Sequence, residues 1–264
     1  MPLADIGGRS LHYLRQGNGA PLLLIMGMAG HSRMWDAPLL DALATDYDVV
    51  AFDHRGIGDS TDVPGDFAIA DLADDAAALL DVLGWDDAHV IGFSLGGMVA
   101  QELALKHPDR VRTLVLASTF AGGEGLDLSA PGPLEMFQAM QTGDLDTAIR
   151  AGFAANLSPK YVADDGNYQH FKATTQSVAL GAPVVMRQAR ATMTHDTSGR
   201  LGELTVPTLI LHGTDDRMIS YRNALVLKQL LPDARLHTFE GAPHLFWWEH
   251  LDETLEQIRA HCRP

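Results

Sequence analysis

The 264-residue sequence has little of three things: cysteine, positive charge and long apolar runs. Its single cysteine, Cys262, can neither close an internal disulfide nor build a cysteine metal site. With 19 basic and 34 acidic residues, the formal net charge is −15, which repels phosphate backbones and anionic lipid surfaces. Uninterrupted apolar runs such as residues 22–26 are far too short to span a bilayer. These absences argue against nucleic-acid and membrane partners.

The amino terminus lacks the basic-then-apolar order of a signal peptide. Because the apolar and charged contents are ordinary, at 46% and 20%, we expect a globular, cytoplasmic protein that acts on a small-molecule substrate. Asp53 and His54 could suggest a metal site, but no second ligand cluster at metal spacing accompanies them. We therefore interpret residues 53–56 as a structural turn and expect no metal and no cofactor. Formation of a homo-oligomer stays open.

The chain alternates short apolar runs, typical of buried strands, with longer segments of helical periodicity. The strand-like runs lie at residues 22–26, 47–52, 88–91, 111–116, 206–211 and 235–239. The helical segments lie at residues 36–44, 69–83, 95–106, 221–230 and 246–260. Gly7-Gly8 interrupts a further apolar stretch and suits a hairpin at the start of the chain. This order predicts an α/β fold, with a mostly parallel sheet and helices on both faces.

Residues 120–203 break the alternation, because they contain almost no strand-like run. They begin with a loop rich in glycine and proline. Four helical stretches follow, at residues 134–141, 145–156, 160–175 and 183–193. The sequence therefore predicts a core formed by residues 1–120 and 204–264, with a helical cap inserted at residues 121–203.

The predicted strand at residues 88–91 runs into Gly92-Phe93-Ser94-Leu95-Gly96, and a helical segment follows at once. This G-x-S-x-G pattern between a strand and a helix is typical of a nucleophilic serine on a sharp turn. Glycines two residues to either side remove the collisions that side chains would make there. The turn also places the Ser94 hydroxyl at a helix N-terminus, where the helix dipole favours negative charge.

A serine hydroxyl needs a base, and the base needs a carboxylate to orient it. Candidates for both follow later strands of the predicted sheet. Asp215 and Asp216 come after the strand that ends near His212, and His244 comes after the final strand. The order serine, acid, histidine is that of one known fold class. Residues alone leave the two aspartates open, and His212, inside its strand, is predicted to be a core or supporting residue.

Acyl transfer also needs backbone N–H donors for the oxyanion of the tetrahedral intermediate. One donor is expected from Leu95, the residue after the nucleophile. The second is expected from the loop after the strand at residues 22–26, which reads Gly27-Met28-Ala29-Gly30. We predict that Met28 provides it, through its backbone alone.

Taken together, these segments resemble the α/β-hydrolase superfamily over nearly the whole chain. The resemblance is carried by the Gly27 loop, residues 53–60 (DHRGIGDS), the turn around Ser94, residues 206–216 and residues 241–244. A closer likeness is to the small esterases and lactonases of the 3-oxoadipate enol-lactonase group. The resemblance implies an eight-stranded sheet, a helical cap, and hydrolysis of a carboxylic ester or lactone through an acyl-serine.

The same resemblance implies roles for individual residues of this chain. It implies that Ser94 is the nucleophile, that Asp216 rather than Asp215 is the acid, and that His244 is the base. Met28 and Leu95 would provide the oxyanion donors. The chain departs from many relatives at Met26, where they carry a histidine that supports the loop. A serine at position 94 also excludes epoxide hydrolases and haloalkane dehalogenases, which use an aspartate there.

Several methionines and phenylalanines could line an apolar pocket, or could equally join the cap helices to one another. They are Met28, Met136, Phe137, Met140, Phe153, Phe171, Met186 and Met193. We therefore expect a small, largely apolar ester, thioester or lactone as substrate. The same three side chains could instead serve a cofactor-free perhydrolase or haloperoxidase, or an acyltransferase. A slow-turnover ligand sensor on the same fold is the remaining alternative.

Overall fold

The computed structural model describes residues 2–231 and 233–263. Eight strands form one sheet, and the six strands from residue 20 onward consist largely of residues from the predicted apolar runs. The strands are β1 Leu3–Asp5, β2 Ser10–Gln16, β3 Ala20–Ile25, β4 Tyr47–Phe52, β5 Ala88–Phe93, β6 Val111–Ala117, β7 Thr208–Gly213 and β8 Arg235–Phe239.

The order across the sheet is β1-β2-β4-β3-β5-β6-β7-β8. The first two pairings, β1 with β2 and β2 with β4, are antiparallel, and all the others are parallel. The predicted mostly parallel, eight-stranded α/β sheet is therefore confirmed. Because parallel strands run in one direction, the carboxyl ends of β3 to β8 meet at one edge of the sheet.

Helices cover both faces of this sheet. They are α1 Ala37–Leu43, α2 Ile69–Leu83, α3 Leu95–Lys106, α4 Gly132–Gln141, α5 Leu145–Asn156, α6 Pro159–Val162, α7 Asp165–Gln176, α8 Ala182–Met193, α9 Arg222–Leu230 and α10 Leu251–His261. None of them, within the described ranges, is long and apolar enough to cross a membrane.

Two predicted helices differ from the observed ones. The single helix predicted at residues 160–175 is two helices, α6 and α7. Asp164 starts the second, because its side chain accepts hydrogen bonds from the amides of Gly166 and Asn167. The final helix starts at Leu251 rather than near residue 246, since a separate 3₁₀ turn, Phe246–Trp248, precedes it. In both places local hydrogen bonding sets the start of the helix, and the spacing of apolar residues carries no information about it.

Alternate side chains of each strand belong to opposite cores, as the pleat requires. Leu23 and Ile25 of β3 point into a core shared with α2 and α3. Leu22 and Leu24 point into a second core shared with α1 and α10, which also contains Phe153 of α5. Each fully buried leucine of this kind contributes about 1.5–3 kcal/mol to the stability of the fold.

Helices α4 to α8 all lie between β6 and β7, in the stretch predicted to form the cap. We call residues 132–193 the helical segment. Its α8 helix contacts the core through ion pairs, from Arg187 to Asp62 at 2.5 Å and from Arg190 to Asp66 at 2.8 Å. That residues 121–203 form a separate cap domain stays a prediction.

Candidate active site

Ser94 occupies the turn between β5 and α3, at the carboxyl edge of the sheet. Its backbone has φ 55° and ψ −119°, which is strained for a residue other than glycine. Two hydrogen bonds hold this conformation: the Ser94 amide donates to the Ala117 carbonyl at 2.9 Å, and the Thr119 hydroxyl donates to the Ser94 carbonyl at 2.7 Å. The end of β6 therefore fixes the turn from the neighbouring strand.

The glycines on either side of Ser94 are required by close backbone approach. A Cβ atom on Gly96 would lie 1.9 Å from the carbonyl oxygen of Ile25, and one on Gly92 would lie 2.3 Å from that of Gly96. Both distances are far below van der Waals contact, so neither position could carry a side chain without moving backbone. Helix α3 thus begins directly against the end of β3.

Asp216 and His244 are brought together at the same edge. The Nδ1 atom of His244 lies 2.6 Å from Oδ2 of Asp216, and both side chains are almost completely buried. The other carboxylate oxygen accepts hydrogen bonds from the amides of Met218 and Ile219, each at 2.8 Å. By contrast, Asp215 is exposed. The geometry therefore selects Asp216 from the two adjacent aspartates as the partner of His244.

The electrostatic surroundings keep Asp216 ionised. Burial alone would raise the pKa of this carboxyl, but the neighbouring His244 and His212 rings outweigh it and hold the pKa well below its usual range. Since an ionised carboxylate can only accept, Nδ1 of His244 carries the proton of their hydrogen bond. In the neutral ring, Nε2 then has a free lone pair, as a general base requires.

His212 supports this carboxylate from the side of β7. Its Nε2 atom lies 3.1 Å from Oδ2 of Asp216 and 2.9 Å from the carbonyl oxygen of Ile219, and its side chain is fully buried. The structure thus agrees with the predicted supporting role of His212.

Ser94 and His244 are linked through the residues that follow β6. The Ser118 hydroxyl donates to the His244 carbonyl at 3.1 Å, while its neighbour Thr119 holds Ser94. The rings of Phe93 and His244 also pack together, with centroids 4.6 Å apart. Among residues 2–231 and 233–263, however, no hydrogen bond joins the Ser94 hydroxyl to the His244 ring.

The loop after β3 lies directly beside Ser94. A Cβ atom on Gly27 would lie 3.1 Å from the Ser94 Cβ. The Ala29 amide donates to the Gln188 side chain at 2.9 Å, and the Gly30 amide donates to the Gly27 carbonyl at 3.1 Å. In the described part of the chain, the amides of Met28 and Leu95 have no hydrogen-bond acceptor. Both amides therefore remain available as donors.

The turn at residues 53–56 supports this loop from below, a role that the sequence interpretation missed. The Nε2 atom of His54 lies 3.0 Å from the Met26 carbonyl oxygen and donates to it. Burial lowers the pKa of His54, which favours the neutral ring. Asp53 accepts from the Ser32 amide at 2.6 Å and pairs with His12 at 2.6 Å. His54 thus supports the loop through the carbonyl group of Met26.

The predicted pocket-lining residues differ in their exposure. Phe153 and Phe171 are buried and pack against each other, with ring centroids 5.2 Å apart, so they join helices of the helical segment. Met193 is 84% exposed and lies on the outer surface. Met28, beside Ser94, is 41% exposed and remains accessible to a substrate.

Two cavities of the described structure lie away from these residues. One, of about 220 Å³, is bounded by Pro108 and Pro207 at the far end of the sheet. The other, of about 400 Å³, lies within the helical segment beside Arg150 and Tyr168. Neither is lined by Ser94, Asp216 or His244, so neither is part of the candidate site.

Comparison with known proteins agrees with this fold. A family described as having the alpha/beta hydrolase fold matches residues 20–251. RutD of Azorhizobium caulinodans, which carries the name of a carbamate hydrolase, is 30% identical over 263 residues, covering 99% of this chain and 98% of that protein.

Two solved structures extend the comparison. The esterase RhEst1 from Rhodococcus sp. ECU1013 has a TM-score of 0.82 at 25% identity, with 98% of this chain and 96% of that chain covered. The enol-lactonase from Burkholderia xenovorans LB400 has a TM-score of 0.84 at 23% identity, with 98% and 99% covered, and at that identity it supports the fold alone. The resemblance drawn from the sequence is confirmed.

Proposed function

The chain belongs to the alpha/beta-hydrolase family, and from that premise we propose that it is a serine hydrolase that cleaves a carboxylic ester or lactone. The substrate would be small and largely apolar, and the reaction would pass through an acyl-serine intermediate. One observation carries the proposal: the strained Ser94 turn lies at the same sheet edge as the buried Asp216–His244 hydrogen bond.

In the proposed reaction, Nε2 of His244 takes the proton of the Ser94 hydroxyl as its oxygen attacks the substrate carbonyl. Collapse of the tetrahedral intermediate breaks the ester bond, and the leaving alcohol takes that proton from His244. Water, deprotonated by the same ring, then attacks the acyl-serine carbonyl. Collapse of this second tetrahedral intermediate breaks the bond to the Ser94 oxygen and releases the acid, and the proton returns from His244 to Ser94. Hydrogen bonds between nucleophile and base are often long in free enzymes and tighten when substrate binds.

The backbone amides of Met28 and Leu95 would hold the oxyanion during both steps. Leu95 is the first residue of α3, so its N–H has no acceptor within the helix and lies at the positive end of the helix dipole. Among the described residues the Met28 amide has no acceptor, whereas the amides of its neighbours Ala29 and Gly30 donate elsewhere. Donors that need no rearrangement stabilise the developing negative charge most effectively.

A second candidate substrate class is a carbamate, favoured by the 30% identity to RutD across nearly both whole chains. Carbamates present the same carbonyl to a serine nucleophile, so Ser94, His244 and the oxyanion donors would have the same roles. A matched pair separates the two classes, since p-nitrophenyl butyrate and p-nitrophenyl N-ethylcarbamate differ only by CH₂ against NH beside the carbonyl.

The test combines labelling with turnover. A fluorophosphonate should modify the wild-type protein once, at Ser94, and should leave Ser94→Ala unmodified. The wild type should release p-nitrophenol from the butyrate with multiple turnovers, and faster than from the carbamate. Stoichiometric labelling without turnover would indicate a ligand sensor. Faster carbamate cleavage would favour the second candidate, and peracid formation with added hydrogen peroxide would favour a perhydrolase. Absence of labelling at Ser94 would reject the serine mechanism.

A further inference from the structure

Gln188 of α8 makes an unusual contact with the loop beside Ser94. Its side-chain oxygen accepts the amide hydrogen of Ala29 at 2.9 Å, across 159 residues of sequence. The Gln188 side chain has no exposed surface. This is a direct hydrogen bond from the helical segment to the loop that contains Met28, the residue proposed to donate to the oxyanion.

The loop needs such a contact because its backbone is strained. Ala29 has φ 57°, in the left-handed region that residues other than glycine rarely adopt. The 27–30 turn is closed by the hydrogen bond from the Gly30 amide to the Gly27 carbonyl, with Ala29 at its third position. A positive φ at that position orients the central peptide of the turn, and so decides where the Ala29 N–H points. In this structure it points at Gln188.

The nitrogen of the same side-chain amide indicates that the important contact of Gln188 is the one made by its oxygen. The Nε2 atom of Gln188 is buried and, among the described residues, has no hydrogen-bond partner. A buried donor without an acceptor destabilises a fold. A methionine of similar length would avoid that penalty, but it would leave the Ala29 amide without its acceptor. The hydrogen bond that the Gln188 Oε1 atom accepts from the Ala29 amide explains the glutamine.

We propose that Gln188 is a positioning residue that holds the 27–30 loop in its left-handed form and so keeps the Met28 amide aimed at the oxyanion. It touches no reacting atom itself. Because it projects from α8, correct formation of the oxyanion site would depend on how the helical segment is seated on the core. This inference rests on the proposed function for its catalytic consequence, but the loop geometry it describes can be measured without turnover.

The main variant is Gln188→Met, which removes the acceptor and keeps the side-chain length. We expect kcat for p-nitrophenyl butyrate to fall by roughly tenfold to a hundredfold, with KM changed by less than about twofold, because a misaimed oxyanion donor weakens transition-state binding alone. Adding Ala29→Gly should restore most of the lost rate, since glycine adopts a positive φ without strain.

The matched control is Arg190→Ala on the same helix. It removes an exposed ion pair between α8 and Asp66 but leaves the Gln188 contact in place. It should keep wild-type kcat. An equal loss of kcat in Arg190→Ala, or a wild-type kcat in a folded Gln188→Met protein, would overturn the proposal. So would failure of Ala29→Gly to restore the rate.

A crystal structure or backbone NMR supplies the readout that does not depend on activity. The φ angle of Ala29 should be positive in the wild type, turn negative in Gln188→Met, and be positive again for glycine in the double variant. If the wild type proves inactive while φ changes in this way, the inference holds and the proposed function fails. If the wild type is active and φ stays positive in Gln188→Met, the inference fails.

Discussion

His244 Nδ1 lies 2.6 Å from Oδ2 of Asp216, although the two residues are 28 positions apart and follow different strands. The same carboxylate oxygen is also within 3.1 Å of His212, and the other oxygen accepts two backbone amides. The carboxylate is thus fixed in position and charge before any substrate arrives. A base oriented in this way needs no rearrangement of its carboxylate during the reaction.

Asp216→Asn should lower kcat by about a thousandfold or more. The amide can donate to Nδ1 of His244, which would leave the proton on Nε2 and remove the lone pair that takes the serine proton. The matched control is Asp215→Asn, because Asp215 is adjacent but exposed. It should keep kcat close to the wild-type value. Equal losses in the two variants would contradict the assignment of Asp216.

Ser94→Ala should abolish turnover, by at least a thousandfold, while the protein stays folded. The change deletes one oxygen atom, and the backbone bonds that hold the turn, to Ala117 and Thr119, remain. Because alanine is also strained at φ 55°, we expect no gain in stability from the substitution. Thermal unfolding and ester hydrolysis, measured on the same preparation, check both expectations. Wild-type turnover in Ser94→Ala would exclude an acyl-serine at this position.

Much of the fold could be predicted because its signals are local and repeated. Continuous apolar runs flanked by helical segments dictate buried parallel strands, and β3 to β7 appear where the sequence places them. The single helix predicted at residues 160–175 was wrong because one side chain decides where a helix starts there. Asp164 separates α6 from α7 by capping the second helix, and the apolar pattern around it is compatible with one continuous helix.

The residues of the candidate site likewise differ in whether the sequence alone could identify them. Ser94, His244 and the pair Asp215 and Asp216 could be identified as candidates because strand ends and glycine patterns mark them, whereas the choice of Asp216 came from the family resemblance. Gln188 could not, since its contact with Ala29 depends on how α8 packs on the core. The support that His54 gives to the 27–30 loop was not predicted, although the sequence contained part of the information needed to predict it. β3 and β4 pair in parallel with Ile25 opposite Phe52, so residues just after the two strands had to be neighbours.

The stability of the protein should decrease as the pH is lowered from about 6.5 to about 4. Burial lowers the pKa of His195 from 6.5 to about 4, so between these values the unfolded chain binds more protons than the folded one. The stabilisation is complete above pH 6.5 and is lost on approach to pH 4, by about 3 kcal/mol for this one group. Urea unfolding at several pH values measures the slope.

The corresponding variant is His195→Gln, which cannot titrate in this range. Its free energy of unfolding should depend less steeply on pH between 4 and 6.5 than that of the wild type. His89, a second buried histidine whose pKa is lowered to about 4, should contribute to the slope that remains, together with His31, His54 and His261, whose pKa values are also lowered by burial. An unchanged slope in His195→Gln would show that His195 is accessible to protons in the folded state.

Cys262 should resist alkylation in the folded protein. Its side chain has no exposed surface, and burial raises the pKa of the thiol to about 11, so very little reactive thiolate exists at pH 8. The Thr113 hydroxyl donates to the sulfur at 3.3 Å, which holds it against β6. Iodoacetamide at pH 8 should therefore add no mass to the native protein within an hour and should modify it fully in 8 M urea. Cys262→Ser provides the blank for both conditions. Rapid modification without denaturant would mean that the end of α10 opens readily from the core, contrary to its packing in the structure.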